Sequence, residues 1–341
     1  MINLVHKLLG FWLPKRRSSG NRRAAGAEKQ SAGPVGNSIP APKPAAHRPS
    51  GRMIEQVEGR VMFSASTPAL PRPDHVVVVV LEDHSYQQIL GANPYPSSLA
   101  WIVQPPRYNT DPYLRSLASQ SAVLTNMTAT AHANQSDYQA LFSGLAPQAK
   151  PDKPLIQNRA PNIASEAIAN GLTFGGYSES LPYTGWSRGD KGDYKQGHNP
   201  WVDLKNVPTA DNLPFTKFPK NHLAALPTIS YVVPNEQHNM HSNTVYASDQ
   251  WMAANMQRYA AWTRKHNSLL IVTWDESHVS SNNIPTFFYG PMVRPGQYAE
   301  PASHYNLLST VEQMFGLQPT NQAAAAAPIT DVFNTETPVG G

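Results

Sequence analysis

Two acidic pairs carry the most chemistry that can be read from this chain. Glu82-Asp83 follows the apolar run Val76 to Leu81, and Asp275-Glu276 follows the run Leu269 to Trp274; the histidines His84 and His278 stand close behind. In an open α/β sheet, ligands bind beyond the carboxyl ends of the strands, so polar clusters at those ends weigh more than the same residues elsewhere. If the two strands are neighbours, four carboxylates converge at one sheet edge. Like charges packed this way repel unless a divalent cation sits among them. Oxygen-rich sets suit Mg, Ca or Mn, and Zn or Fe become eligible once imidazoles join. One acidic pair at a strand end is more often a helix cap or a solvated loop; two pairs in equivalent places favour a site.

Histidine placement points the same way. The chain has 12 histidines. His132, His198, His238, His241 and His304 flank turns or helix starts, where they can serve as phosphate donors or metal ligands. His222 and His266 read as structural or solvent-facing. A third element, Thr130 to Gly144, is a loop that enters a helix at about Asn134. The unpaired N–H groups and positive dipole end of a helix start favour anions such as phosphate, although an ordinary N-cap has the same pattern.

The elements that must position these residues alternate between strand and helix. Strands are predicted at His75 to Leu81, Leu172 to Tyr177, Thr228 to Val233, Ser268 to Trp274 and Thr286 to Tyr289. Helices are predicted at Pro112 to Gln120, Ile163 to Asn170 with Gly171 as the stop, about Asp249 to His266, and His304 to Phe315. The unbroken β-branched run of the first strand marks burial on both faces. Alternation of this kind predicts an α/β fold, a mostly parallel sheet sandwiched by helices. The Pro- and Gly-rich stretch from Pro182 to Pro219 reads as a long surface excursion.

Composition excludes several alternatives. With 341 residues and no cysteine, the chain has no thiolate nucleophile, disulfide framework, cysteine zinc site or iron-sulfur cluster. Its longest aliphatic run is far below the roughly 20 apolar residues of a membrane-spanning helix, so no transmembrane segment is expected. Residues 1 to 73 hold 12 Lys and Arg against 3 Asp and Glu, while residues 74 to 341 hold 15 against 20. The basic balance therefore belongs to the tail, and no nucleic-acid face is expected on the folded domain. From Pro14 to Ser50 the tail is too poor in large apolar residues to fold and is expected to be disordered, whereas the apolar Met1 to Leu13 reads as a frayed N-terminus or an amphipathic membrane-surface segment. Within the tail, Met53 to Ser64 resembles the L-E-x-L-E-x-R-x-L-L-S signature that precedes many exported or surface proteins of one bacterial phylum, which implies an exported or cell-surface protein.

Taken together, the segments around Glu82 to Tyr86, His132 to Gly144, Gly176 to Gly185, His198 to Trp201, Ser230 to Asn235, Met240-His241, Asp275-Glu276, Asn283 to Gly290 and His304 to Asn306 resemble the phosphoesterase family of bacterial acid phosphatases and phospholipases C. That family lies within the alkaline phosphatase superfamily. The resemblance runs from about residue 74 to 333 and implies an alkaline-phosphatase-like fold, a divalent cation held by Glu82, Asp83, Asp275 and Glu276, and His132, His198, His241 and His304 at the phosphoryl oxygens or in proton transfer. It implies a phosphorylated small molecule or a phospholipid as substrate. In the family a hydroxyl at the start of a helix attacks phosphorus, and the loop usually reads H-P-S-x-P-N-Y. Here Asn134 occupies that position, and an amide is not a phosphoryl acceptor. Ser136, two residues along the helix, is rotated about 200° away. Asp83 stands where Asn is usual, His278 where an acid is common, and Ser242 follows His241 where Asp is frequent.

Three readings follow. A retooled metal-dependent phosphoric ester hydrolase would use water activated by the cation in place of the hydroxyl. A catalytically inactive descendant would bind phosphorylated ligands without turnover. A phospholipase C-type phosphodiesterase would take lipids, with Tyr183, Trp186 and Trp201 on the excursion as an apolar lip.

Overall fold

A computed structural model of the chain describes residues 70–91, 111–147 and 159–334. The basic tail up to residue 69, with the export-like segment Met53 to Ser64, lies outside the described residues. In chain order the strands are β1 (His75–Leu81), β2 (Ala122–Leu124), β3 (Met127–Thr128), β4 (Phe174–Ser178), β5 (Asn212–Pro214), β6 (Ile229–Val233), β7 (Ser268–Trp274), β8 (Thr286–Tyr289), β9 (Gly296–Tyr298) and β10 (Ala302–Ser303). Among the described residues, the α-helices are α1 (Tyr86–Ile89), α2 (Pro112–Ala118), α3 (Asn134–Ser143), α4 (Ile163–Ala169), α5 (Val245–Thr263) and α6 (His304–Met314).

Eight strands form one sheet in the order β5-β4-β6-β1-β7-β8-β2-β9. From β5 to β7 every pairing is parallel; β8 runs antiparallel to both β7 and β2, and β2 pairs with β9 in parallel. This is the mostly parallel α/β sheet that the alternation predicts. Strand β1 lies among the parallel strands with Val76 to Leu81 fully buried. Its side chains point alternately to opposite faces, so burial of all six requires cover on both, and no polar alternation can survive. Each buried aliphatic side chain contributes roughly 1.5–3 kcal/mol. That surplus lets the strand run straight into charged residues.

The β1–β7 register pairs Leu81 with Trp274, so Glu82 and Asp275 leave the sheet side by side. On the other flank of β1, β6 pairs through Val79 and Val232, which brings the segment after β6 to the same edge.

Two sequence expectations change in the structure. Helix α5 starts four residues before Asp249, where Thr244 caps it by accepting from the Ala247 N–H at 3.2 Å. Asp249 instead accepts from the N–H groups of Leu114 (2.8 Å) and Tyr113 (3.3 Å), and so caps α2 across the interface. An acid that caps a neighbouring helix looks, in sequence, like a cap of its own. The short strands β2, β3, β5, β9 and β10 carry too few residues for a period-2 pattern and are found only through their partners.

The excursion is a run of 3-10 turns anchored by one large ring. Trp201 is buried, packs edge-on against Phe142 and Phe174, and donates its indole N–H to Asn212 Oδ1 at 2.9 Å. Gly176 on β4 makes room for it, since a Cβ there would collide with the indole. Trp201 is therefore core and takes no part in the expected lip.

Candidate active site

Glu82 is the centre of the strand-end cluster. It is buried, and its backbone N–H is held by Asn239 O at 2.8 Å, which ties the end of β1 to the loop after β6. Its Oε1 accepts from the Tyr138 hydroxyl at 2.8 Å and lies 2.7 Å from His198 Nδ1. Its Oε2 faces Asn134 Nδ2 and His241 Nδ1, each at 3.4 Å. The chain then turns sharply: Asp83 adopts φ 65°, a left-handed conformation that Asp and Asn tolerate better than most residues. The turn aims the Asp83 carboxylate at His241 Nδ1 (2.5 Å) and His278 Nε2 (3.3 Å).

At the end of β7, Asp275 is fully buried. Its Oδ1 accepts from the N–H of Glu276 (2.6 Å) and of Asp83 (3.3 Å), whereas Oδ2 is buried with no hydrogen-bond partner. Glu276 is buried, and its Oε2 lies 3.5 Å from Nδ1 of the half-exposed His132. The third strand end adds a residue that the sequence reading passed over. Glu236, three residues beyond β6, accepts from Asn239 Nδ2 (3.2 Å) and from the Ser242 hydroxyl (2.8 Å), and its Oε1 is 3.7 Å from His198 Nδ1. Its position beyond a buried apolar strand was the available signal, the same one that marked the other two acidic pairs.

Helix α3 closes the site from above. Ala133 stands at its N-cap and supplies no capping side chain; Asp137 in the first turn takes that place and accepts from the Ala133 N–H at 3.3 Å. Asn134, the first helical residue, lies between Glu82 and His198 Nε2, the latter at 3.5 Å. The loop before it is pinned by the buried Asp137, which accepts from Thr130 N (2.9 Å), Thr130 Oγ1 (2.8 Å) and Ala131 N (2.8 Å). His304 lies behind that carboxylate, fully buried, with Nδ1 3.5 Å from Asp137 and Nε2 2.9 Å from Trp274 O. It braces α3 against the end of β7 and presents no surface to a ligand.

The excursion brings His198 in from the side. Its imidazole stacks on Tyr138 at 5.2 Å between centroids, and the segment that carries it docks on α3 through Asp203, which accepts from Gln135 at 3.0 Å. His238 faces away from the cluster and pairs with Glu179 at 2.9 Å. His222 and His266 are exposed, and His266 stacks on Trp262 at 4.0 Å.

Electrostatics follow from crowding. Burial, then the charges of Glu82, Asp83 and Glu276, push Asp275 well above the usual carboxylate range. Burial would raise Asp83 as well, but the hydrogen bond and charge of His241, with His278 and His84, hold it below its ordinary value. His241 is raised to about 9, chiefly by its hydrogen bond to Asp83. Burial lowers His198, but the Glu82 charge and hydrogen bond outweigh it, so the net shift is upward.

A divalent cation fits this donor set. Glu82, Asp83 and His241 bring ligand atoms within 4.8 Å of one another, and so do Glu82, His198 and Glu236. Asp275 adds a buried oxygen that no donor among the described residues satisfies. Mixed oxygen and imidazole donors suit Mn, Zn or Fe as well as Mg. Beside the cluster opens a cavity of about 530 Å³ lined by Asn134, Gln135, Lys195, His198, Glu236 and His241, among others.

The phosphoesterase family model matches residues 101–318. A phosphatidylinositol-3-phosphatase of Mycobacterium tuberculosis is 41% identical over 268 residues, covering 78% of this chain and 84% of the relative. A phosphate-repressible acid phosphatase of Penicillium chrysogenum is 25% identical over 232 residues, covering 61% of this chain and 55% of that protein. Among solved structures, a protein in the alkaline phosphatase superfamily from Vibrio parahaemolyticus shares the fold at a TM-score of 0.50 and 14% identity, over 77% of this chain and 72% of that one.

Proposed function

The chain belongs to the phosphoesterase family, and from that premise we propose that it is a phosphatase that hydrolyses phosphoric monoesters without the hydroxyl its family places at the start of α3. One observation carries the reading: the amide of Asn134, and no hydroxyl, stands between Glu82 and His198 at the mouth of the acidic cluster. A divalent cation held by Glu82, Asp83, Asp275 and the neighbouring imidazoles would neutralise charge on the phosphoryl oxygens.

The chain's own groups supply the rest. Asn134 Nδ2 and the positive end of α3 donate to the phosphoryl group and orient it. Water attacks phosphorus and gives its proton to Glu236 as the new P–O bond forms and the ester P–O bond breaks. The leaving oxygen takes a proton from solvent water, since His241 stands among the imidazoles that would hold the cation and cannot be both ligand and acid. The relative at 41% identity bears the name of a phosphoinositide phosphatase, and a phosphorylated lipid headgroup is the substrate class we favour for this chain.

A second reading rests on Ser242. Its hydroxyl donates to Glu236 Oε2 at 2.8 Å, the pairing of nucleophile and base expected of a covalent phosphoryl acceptor. The test is hydrolysis of an aryl phosphate labelled at phosphorus, with Mg, Mn, Ca or Zn added, followed by acid quench. Turnover without labelled protein is expected for attack by water, and label on the Ser242 peptide transfers the role to that hydroxyl. Turnover no greater than that of Glu82→Ala under every metal refutes both and leaves a phosphate-binding protein. Asn134→Ser then tests whether a hydroxyl at the helix start takes over the chemistry.

A further inference from the structure

The folded part of the chain is acidic, yet the excursion from Pro182 to Pro219 holds 5 Lys and Arg against 4 Asp and Glu. One of those four acids, Asp203, is buried against Gln135, and another, Asp190, is paired with Lys195 at 3.3 Å. The exposed surface of the excursion is therefore cationic.

Two exposed cations, Lys205 of the excursion and Arg159 ahead of it in the chain, line a cavity separate from the phosphoryl site. About 360 Å³ in volume, the cavity has walls that include Leu204 and Val207, with the Trp186 indole, Arg159 and Lys205 among its lining, and no carboxylate among the described residues lines it. Arg159 and Lys205 are exposed, and neither has an ion-pair partner among the described residues. Trp186 donates its indole N–H to Gly189 O at 2.7 Å, and Gly189 lines the active-site cavity, so the two cavities open on either side of one turn. Tyr183, one of the few exposed large rings at 50% exposure, packs edge-on against Trp186 at 5.3 Å. Lys217 Nζ donates to Thr184 Oγ1 at 2.8 Å, which places a third cation beside the same aromatic pair.

The exposed Tyr183 ring and the half-buried Trp186 ring, with Lys and Arg beside a cavity of mixed polar and apolar lining, match the interfacial layer of an anionic bilayer. Aromatic rings settle at headgroup level, cations meet phosphate and serine headgroups, and the stems of Lys and Arg lie along apolar surface. We propose that Tyr183, Trp186, Arg159, Lys205 and Lys217 form a docking surface for an anionic phospholipid bilayer, set beside the mouth of the active site. Docking there would present headgroups to the phosphoryl pocket while the cavity lined by Trp186 takes the headgroup end of a neighbouring lipid. The inference concerns adhesion to the bilayer and stands whether or not the neighbouring pocket turns over.

The experiment is co-sedimentation of the full chain with phosphatidylcholine vesicles, with and without phosphatidylserine. The basic segment 1 to 73 is present in every arm, so the comparison between variants isolates the patch. Replacing Arg159, Lys205 and Lys217 together by Ser is expected to weaken binding to phosphatidylserine vesicles about 100-fold, at roughly fivefold per cation near the surface. Tyr183→Ser is expected to weaken it further, and Arg159→Lys to retain it. All these positions are exposed or lie at the cavity rim, and unchanged hydrolysis of a soluble aryl phosphate, or an unchanged melting temperature if there is no turnover, shows that the variants fold. Vesicle binding equal to wild type in the triple variant and in Tyr183→Ser overturns the proposal and assigns any adhesion to the tail. Loss of binding in the triple variant that high salt fails to reproduce in the wild type also overturns it, because contact with an anionic surface is screened by salt.

Discussion

Asp275 at the end of β7 and Asp203 in the excursion are both buried carboxylates raised above their usual pKa by burial, yet they are satisfied in opposite ways. Asp203, raised to about 6, is held by side-chain amides of Gln135 and Gln196 at 3.0 and 3.5 Å, so its charge has donors and nothing more is needed. Asp275 has one oxygen engaged with backbone and the other with no partner among the described residues, and the charges that act on it are four further carboxylates. A shifted pKa therefore does not by itself mark a site. An unsatisfied buried oxygen among like charges does, because only a ligand can complete it. Glu312 on α6 is a second carboxylate of the structural kind: raised to about 7 by burial, it accepts from the Thr320 hydroxyl at 2.7 Å.

The sharpest way to break this contrast is Asp275→Asn. Turnover of an aryl phosphate is expected to fall about 10³-fold, since a ligand to the charge-neutralising cation is lost, while the melting temperature of the chelator-treated protein rises because a crowded charge is gone. A fall in both would place Asp275 with the structural acids.

Cation addition should raise the stability of the wild type by about 2.7 kcal/mol at 100-fold excess over Kd and leave Asp275→Asn nearly unmoved; thermal melts with and without chelator read this. Binding must displace the proton that His241 holds up to about pH 9, so metal affinity is expected to climb as pH rises toward 9. Affinity independent of pH over that range would remove His241 from the ligand set.

Glu312→Gln tests the structural class. With a folded pKa of about 7 against an ordinary 4.5, Glu312 binds more protons folded than unfolded between those values. Wild-type stability is therefore fully present below about pH 4.5 and declines as pH rises toward 7, by up to about 3 kcal/mol. Replacing Glu312 with Gln should flatten that decline in melts across pH and leave turnover unchanged. A steeper decline in the variant would show that the charged form is the stabilised one.

The smallest effect is expected of Asp203→Asn. The excursion keeps its aromatic anchor at Trp201 but loses a charge-assisted bond to α3, so His198 shifts slightly; kcat should drop about tenfold and metal affinity a few-fold. Metal affinity equal to wild type would remove His198 from the ligand set.

Much of the fold was legible because local pattern and global arrangement agree. The aliphatic runs of β1 and β7 read as doubly buried strands, and ends of neighbouring parallel strands must share an edge, so Glu82, Asp83, Asp275 and Glu276 could be paired before any coordinates. His198 came with no such warrant. Its place depends on Trp201 in the gap over Gly176 and on Asp203 against α3, contacts between residues far apart in sequence that no period announces.

The amino-acid sequence by itself determined the parallel sheet, the acidic strand ends and the amide at the start of α3, because hydrophobic run length and residue chemistry are local properties. Only the tertiary structure decided that Glu236 joins the cluster, that His304 braces Asp137 from behind, that Asp249 caps a neighbouring helix and that Trp201 is core. Those outcomes turn on which side chains meet across elements and which buried oxygens are left without a donor, and such meetings are set by packing.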